Sequence, residues 1–182
     1  ELLLGCADAV NAGSLEDPKP DMAVFLHVLT NTRIKTGTAI ISGAGVCAPA
    51  AVYFEITVLG RSAHASQVGE AVDALSVGAH IAVAIDSISA RELYSIGDCI
   101  ITLGQMSAGT CPNVISDKCV ISGTLRSYDQ KTIEYVFKRI MSIAEHTAKA
   151  HKASAVTILK GSAPTLLSNP WLSKTVFSAR SK

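Results

Sequence analysis

Four residues of this chain of 182 combine a reactive type with a setting that could use it: His27, His64, Asn113 and Arg126. His64 stands in Gly60-Arg61-Ser62-Ala63-His64-Ala65-Ser66. Ala63, Ala65 and Ser66 are too small to wall in an imidazole, so the ring can reach a ligand; the plain alternative is an ordinary loop histidine. A neutral imidazole offers one N–H donor and one lone pair. His27 sits at the end of an apolar run, in Phe25-Leu26-His27-Val28. At a strand end such a ring suits a metal ion through one nitrogen; the plain alternative is a core histidine that only hydrogen-bonds. Asn113 lies in Gly109-Thr110-Cys111-Pro112-Asn113-Val114-Ile115, a turn between two strands. Its amide can cap the turn or grip a carboxylate or carbonyl. Arg126 lies near a strand end, in Gly123-Thr124-Leu125-Arg126-Ser127-Tyr128-Asp129. Guanidinium matches a carboxylate bidentately, and a surface ion pair is the alternative. Asp129 reads as the N-cap of the next helix. His80, His146 and His151 fall on helical segments without a partner at ligand spacing and read as structural or solvated.

These side chains need elements to hold them. Phe54, Ile56 and Val58 alternate with Glu55 and Thr57, which predicts a strand over 52–59 ended by Gly60. A helix over 70–90 follows, then strands over 98–107 and 118–127, a helix over 130–150 and a strand over 153–160. The order βαββαβ predicts a ferredoxin-like sandwich, an α+β fold whose four-stranded antiparallel sheet carries both helices on one face. Strand 98–107 is then an apolar edge, open to pairing with another chain. Helix 130–150 is amphipathic, with Ile133, Val136, Phe137, Ile140, Met141, Ala144 and Ala148 on one side. Helix 70–90 differs. Ala74, Leu75, Gly78, Ile81, Ala82 and Ile85 make its core face, yet Val77, Ala79 and Val83 leave the rest nearly as apolar. That predicts a second buried face, against another subunit; the plain alternative is an Ala-rich surface helix.

Two Gly/Pro breaks, Gly43–Pro49 and Gly161–Pro164, bound this unit at 50–161. Ahead of it, Leu2 to Ala12 is helix-like and Leu15–Pro20 is a rigid turn. Met22 to Leu29 reads as a strand buried on both faces, and Thr38 to Ile41 as another short strand. Behind it, a helix starts at Asn169-Pro170, with Asn169 as N-cap and Pro170 at its first position.

Composition narrows the partners. Hydrophobic residues make up 48% and charged residues 17%, with a net charge of +1. The low charge implies surface covered by something else. No basic stripe stands out, which argues against nucleic acid. No apolar run reaches the length of a membrane span. The cysteines are odd in number and lack a C-x-x-C pair, so they read as reduced thiols in a cytoplasmic protein. A first residue of Glu, with no signal peptide before it, suits a fragment or a processed chain.

Four pieces in order carry a resemblance: Leu15-Glu16-Asp17-Pro18 leading to Leu26-His27-Val28; Gly60-Arg61-Ser62-Ala63-His64-Ala65; Gly109-Thr110 with Asn113-Val114-Ile115; and Gly123–Asp129. Together they resemble the M20 family of metallopeptidases and amidohydrolases, in the branch of hippurate hydrolase and the auxin-conjugate hydrolases. The resemblance spans roughly residues 1 to 170. It implies a catalytic α/β domain with two divalent metal ions (Zn, Mn, Co or Ni) and an inserted lid domain that forms the homodimer. Residues 50–161 would be the lid, and residues 1–49 and 162–182 parts of the catalytic domain. Glu1 resembles a metal-ligating Glu of a Glu-Glu pair, and His27 a metal-ligating His. His64 resembles the lid histidine that steadies the oxyanion in the neighbouring subunit, while Asn113 and Arg126 resemble lid residues that grip the substrate carboxylate. Departures are plain: Leu2-Leu3-Leu4 stands where glycines are expected, the Pro after the lid histidine is missing, and the remaining ligands are absent.

Two readings follow. In the first, the parent protein is a dimeric metal-dependent hydrolase of N-acyl amino acids or small peptides, and this fragment is inactive alone. In the second, the chain is a stand-alone dimerisation or binding module without chemistry. The homodimer would form through helix 70–90 and edge strand 98–107.

Overall fold

The structure is a computed structural model, and it describes residues 4–28, 33–43, 45–93 and 97–179. In chain order these form α1 (Leu4–Asn11), β1 (Gly45–Ala48), β2 (Ala50–Leu59), β3 (Ala63–His64), α2 (Ala74–Arg91), β4 (Cys99–Ala108), β5 (Val114–Ile115), β6 (Lys118–Ser127), α3 (Gln130–Ala150), β7 (Ser154–Ala163), β8 (Leu166–Ser168) and α4 (Pro170–Ala179). The chain divides into two compact units, Ala48–Leu166 and a smaller one of Glu1–Cys47 with Leu167–Lys182.

The larger unit is the predicted α+β sandwich. Its four-stranded sheet has the order β4-β6-β2-β7, antiparallel throughout. Alternation decides which side chains face the helices: Phe54, Ile56 and Val58 from β2 and Cys119, Ile121 and Leu125 from β6 are buried there. Opposite them lie Ile81, Ile85 and Ile88 of α2 and Ile133, Val136, Ile140 and Ala144 of α3. Each fully buried Ile contributes roughly 1.5–3 kcal/mol relative to an exposed one. Phe54 and Phe137 meet edge to face, 6.5 Å between centroids. Gly123 lets that Phe54 ring in, because a Cβ there would stand 2.5 Å from Phe54 Cζ.

Both helices are capped by aspartates. Leu75 N–H donates to Asp73 Oδ1 at 3.0 Å, and Thr132 N–H donates to Asp129 Oδ2 at 2.8 Å. The first cap corrects the expected start of α2 at Glu70: Val68–Glu70 is a separate 3₁₀ turn, and the helix proper begins at Ala74.

The face of α2 is also corrected. Val77 is 3% exposed and belongs to the core, whereas Leu75 is 47% exposed and lies outside it. Once the helix starts at Ala74, the inward row is 74, 77, 78, 81, 85 and 88. The outward row keeps Leu75, Ala79 and Val83, the last 74% exposed. On α3, Met141 is likewise outside the core. Strand β4 is a sheet edge, as expected, with Ile100 exposed along it.

In the smaller unit β1 and β8 pair. Asn169 Oδ1 accepts from Trp171 and Leu172 N–H, capping α4 where the sequence places the cap. The two strands expected over Met22–Leu29 and Thr38–Ile41 are not formed by the described residues there. Met22, Val24, Phe25, Leu26 and Val28 are all exposed. An apolar run becomes a buried strand only beside other strands, and no described strand lies next to this one.

Candidate functional site

His64 sits on a loop that closes on itself. Arg61 and Val72 exchange backbone hydrogen bonds, each 2.9 Å, and form the neck. Gly60 makes that neck possible, since a Cβ there would stand 2.1 Å from the Val72 carbonyl oxygen. Inside the neck, Gln67 N–H donates to His64 O at 2.8 Å and Glu70 N–H to Gln67 O at 3.0 Å. The Arg61 guanidinium adds a bond from Nε to Glu70 O. The loop is stitched by its own backbone and needs no apolar anchor.

The imidazole itself is oriented. Ser66 N–H donates to His64 Nδ1 at 3.3 Å, and Ser66 Oγ lies 2.8 Å from the same nitrogen. A nitrogen that accepts from a backbone N–H carries no proton of its own in the neutral ring. The proton therefore sits on Nε2, which has no partner among the described residues and points a donor outward.

Asn113 stands beside it. β3 pairs with β5 so that Ala63 faces Ile115 and His64 faces Val114. Ala65 N–H donates to Asn113 O at 3.0 Å. The Asn113 side chain is exposed and has no partner among the described residues. The structure thus brings His64 and Asn113 to one tip, past the Leu59 end of β2 and the Lys118 end of β6.

Arg126 is not brought there. It lies next to the last residue of β6, in register with Ala51 and Ile100. From Lys118 to Arg126 the strand covers about 26 Å, at roughly 3.3 Å per residue. Its guanidinium is exposed at the opposite end of the sheet, which we call the root. Within one chain His64, Asn113 and Arg126 cannot share a pocket.

His27 is exposed in the irregular stretch of the smaller unit, not at the end of a buried strand. Its Nδ1 is 2.7 Å from Val28 O, and only a protonated nitrogen can make that bond. Nε2 is left as the acceptor, the arrangement a metal-ligating histidine adopts. Glu1 lies outside the described residues. Among those described, no three His, Cys, Asp or Glu side chains converge as a metal site.

The remaining candidates stay structural. His80 and His151 stack with 4.7 Å between centroids, and His146 Nδ1 donates to Ser142 O at 2.7 Å. Burial pushes the Cys99 thiol up, and burial followed by the nearby Asp73 charge does the same for Cys119. Neither is an activated thiolate. Sequence reading missed Ser116, a buried residue under the Asn113 turn whose hydroxyl makes three hydrogen bonds.

Residues 49–152 match the peptidase dimerisation domain of the M20 family. The chain belongs to that family. The chain is 34% identical over 137 residues to an N-acetyldiaminopimelate deacetylase of Ligilactobacillus salivarius, covering 75% of this chain and 35% of the relative. A deacetylase of the same description from Streptococcus pneumoniae is 32% identical over 151 residues, 81% of this chain and 39% of its own. Among solved structures, an aminobenzoyl-glutamate utilization protein from Klebsiella pneumoniae superimposes with a TM-score of 0.66 at 23% identity, over 80% of this chain and 38% of that one. At that identity the likeness carries the fold alone. The matched stretch spans between 25% and 43% of the length of the curated relatives.

Proposed function

We propose that this chain is the lid portion of a dimeric, metal-dependent amidohydrolase that cleaves the amide bond of N-acyl amino acids or small peptides. The observation that carries the reading is the tip: an imidazole with its N–H turned outward, beside a carboxamide, on a loop stitched shut. The similar deacetylases act, by name, on an N-acetylated amino acid, which supports that substrate class. On this reading residues 50–161 are the lid, while 1–49 and 162–182 belong to a catalytic α/β domain. The thiols fit a reducing compartment, the cytoplasm.

Two divalent cations belong to the reading and would polarise the scissile carbonyl and activate water. The described residues offer His27 Nε2 as a ligand but do not by themselves make a two-cation site. What this chain's own residues do is donate and orient. As water adds to the amide carbonyl, charge gathers on its oxygen. His64 Nε2–H is a preset donor for that charge, and preset donors stabilise a transition state more than a ground state. Ala63 and Ala65 leave the approach open. Asn113 adds an amide N–H beside it.

Arg126, some 26 Å down the strand, serves a different site. The two ends of one lid would then work in two active sites of a dimer, with Arg126 holding a substrate carboxylate in one and His64 with Asn113 working in the other. The outward row of α2 and the β4 edge supply the dimer contact: Val83 and Ile100 are 74% and 64% exposed, and β4 carries no charged residue.

In the full-length parent, His64→Ala should lower kcat by on the order of 10²-fold, as for loss of an oxyanion donor, with KM little changed. An unchanged kcat removes His64 from the chemistry. The chain of 182 residues alone should show no turnover with added Mn²⁺ or Zn²⁺. For assembly, Val83→Asp should give monomers in light scattering; dimers that persist would put the contact elsewhere.

A further inference from the structure

We propose that Ser116 is the positioning residue that holds His64 and Asn113 in one arrangement, a role that rests on reading those two as the working pair. The loop between β4 and β6 runs from Gly109 to Asp117 and carries Asn113. Of these residues only Ser116 is buried, 9% exposed. One hydroxyl joins the loop's entrance to its exit. Ser116 Oγ accepts from Gly109 N–H at 3.1 Å and from Lys118 N–H at 3.3 Å, and donates to Lys118 O at 2.7 Å. Gly109 enters this grip at φ 76, a backbone state that favours glycine.

The same point receives the other loop. Ala74 N–H donates to Ser116 O at 2.9 Å, and Gly60 N–H donates to Asp117 O at 2.7 Å. Gly60 and Ala74 lie on either side of the Arg61–Val72 neck, so both arms of the His64 loop dock on residues 116 and 117. The loops meet again at their tops through the β3–β5 pair and the Ala65–Asn113 bond. Two exposed loops therefore share one base, and the one buried side chain in that base is a hydroxyl. Removing it takes a partner from two N–H groups at once, and the upper contacts lose their common footing.

The test uses the full chain of 182 residues as Ser116→Ala and Ser116→Thr, read by amide hydrogen exchange and by the imidazole ¹⁵N shifts of His64. In Ser116→Ala, exchange at Ala65 and Gly60 should rise on the order of tenfold, as for a lost buried hydrogen bond. Amides of Ile56 and Ile121 in the sheet core should hold their wild-type rates, and the His64 shifts should move away from those of a fixed Nε2–H tautomer. Ser116→Thr, which keeps the hydroxyl, should restore Ala65 protection. A uniform rise at all amides, or none at Ala65, overturns the proposal, because Ser116 would then be ordinary core or idle. In the full-length parent, Ser116→Ala should lower kcat with little change in KM, and lower it no further once His64→Ala is present. Additive losses overturn the role. If His64→Ala itself leaves kcat untouched, the reading of the pair fails, while the exchange result still decides the clasp.

Discussion

Strand β6 begins two residues after one buried serine and ends on another. At the tip, Ser116 Oγ ties Gly109 to Lys118. At the root, Ser127 Oγ donates to Asp98 O at 2.6 Å and accepts from Asp129 N–H at 3.1 Å. The same device closes both ends, yet the ends differ in what surrounds it. The root is crossed by charge: Arg139 meets Glu92 through two bonds of 2.9 Å, and Tyr135 O–H donates to the same carboxylate at 2.8 Å. The tip is held by backbone groups, a hydroxyl and the Arg61 guanidinium on Glu70 O, and leaves a donor over on His64. A site that must present an N–H to a ligand gains from fastenings that leave carboxylates away from it, because a nearby carboxylate would claim that N–H first. A root that only has to stay shut can use the stronger charged bonds.

The comparison breaks most sharply at the neck of the tip. Gly60→Ala would push a Cβ against the Val72 carbonyl, a backbone atom that cannot swing away. We expect a loss of about 3 kcal/mol, at the upper end for overpacking, and loss of exchange protection at Arg61 and Val72. Gly69 lies in the same loop with nothing within 4 Å of a new Cβ. Gly69→Ala should stay within about 0.5 kcal/mol of wild type. Thermal unfolding of the pair decides the matter: equal stabilities would mean that the neck is not closed as described.

Much of this fold is written in the sequence because its periods are clean. The alternation in β2 and β6 and the apolar stripe of α3 are enough to set the order βαββαβ, and Asp129 and Asn169 announce the helices they cap. Other features escape for physical reasons. The Val77 and Leu75 faces of α2 exchange places because an Ala-rich helix shows little contrast around its circumference, so its phase depends on knowing that Asp73 is the cap. Met22 to Val28 has the composition of a buried strand, but strand formation is decided by neighbours, and composition does not contain them. Ser116 looks like any turn serine; its burial arises from two loops meeting over it. The separation of Arg126 from Asn113 was legible in principle. Asn113 precedes a ten-residue strand and Arg126 stands near its end, so an extended chain must hold them apart.

A smaller loss than that at Gly60 sharpens the contrast between the ends. The Arg139 guanidinium beside Glu92 holds its carboxyl below the usual carboxylate range, with the Tyr135 hydroxyl helping. The Thr132 hydroxyl and backbone N–H do the same for Asp129. A carboxyl lowered on folding binds its proton more readily in the unfolded chain. The stability it contributes is therefore complete above the ordinary carboxylate pKa and is lost as pH falls through the folded value. The Glu92 and Arg139 side chains are 23% and 37% exposed, so water screens the pair and limits it to about 1 kcal/mol even with its bidentate geometry. Glu92→Gln should lose about that much at neutral pH and should flatten the acid limb of stability. As pH falls from about 5 to 3, protection factors in the wild type, taken against the intrinsic exchange rate at each pH, should fall first at root amides such as Asp129 and Glu92, and later at Ala65 and Gly60. Simultaneous loosening of both ends would mean that the two serines belong to one cooperative unit, and that the charge at the root does not set the order in which the two ends loosen.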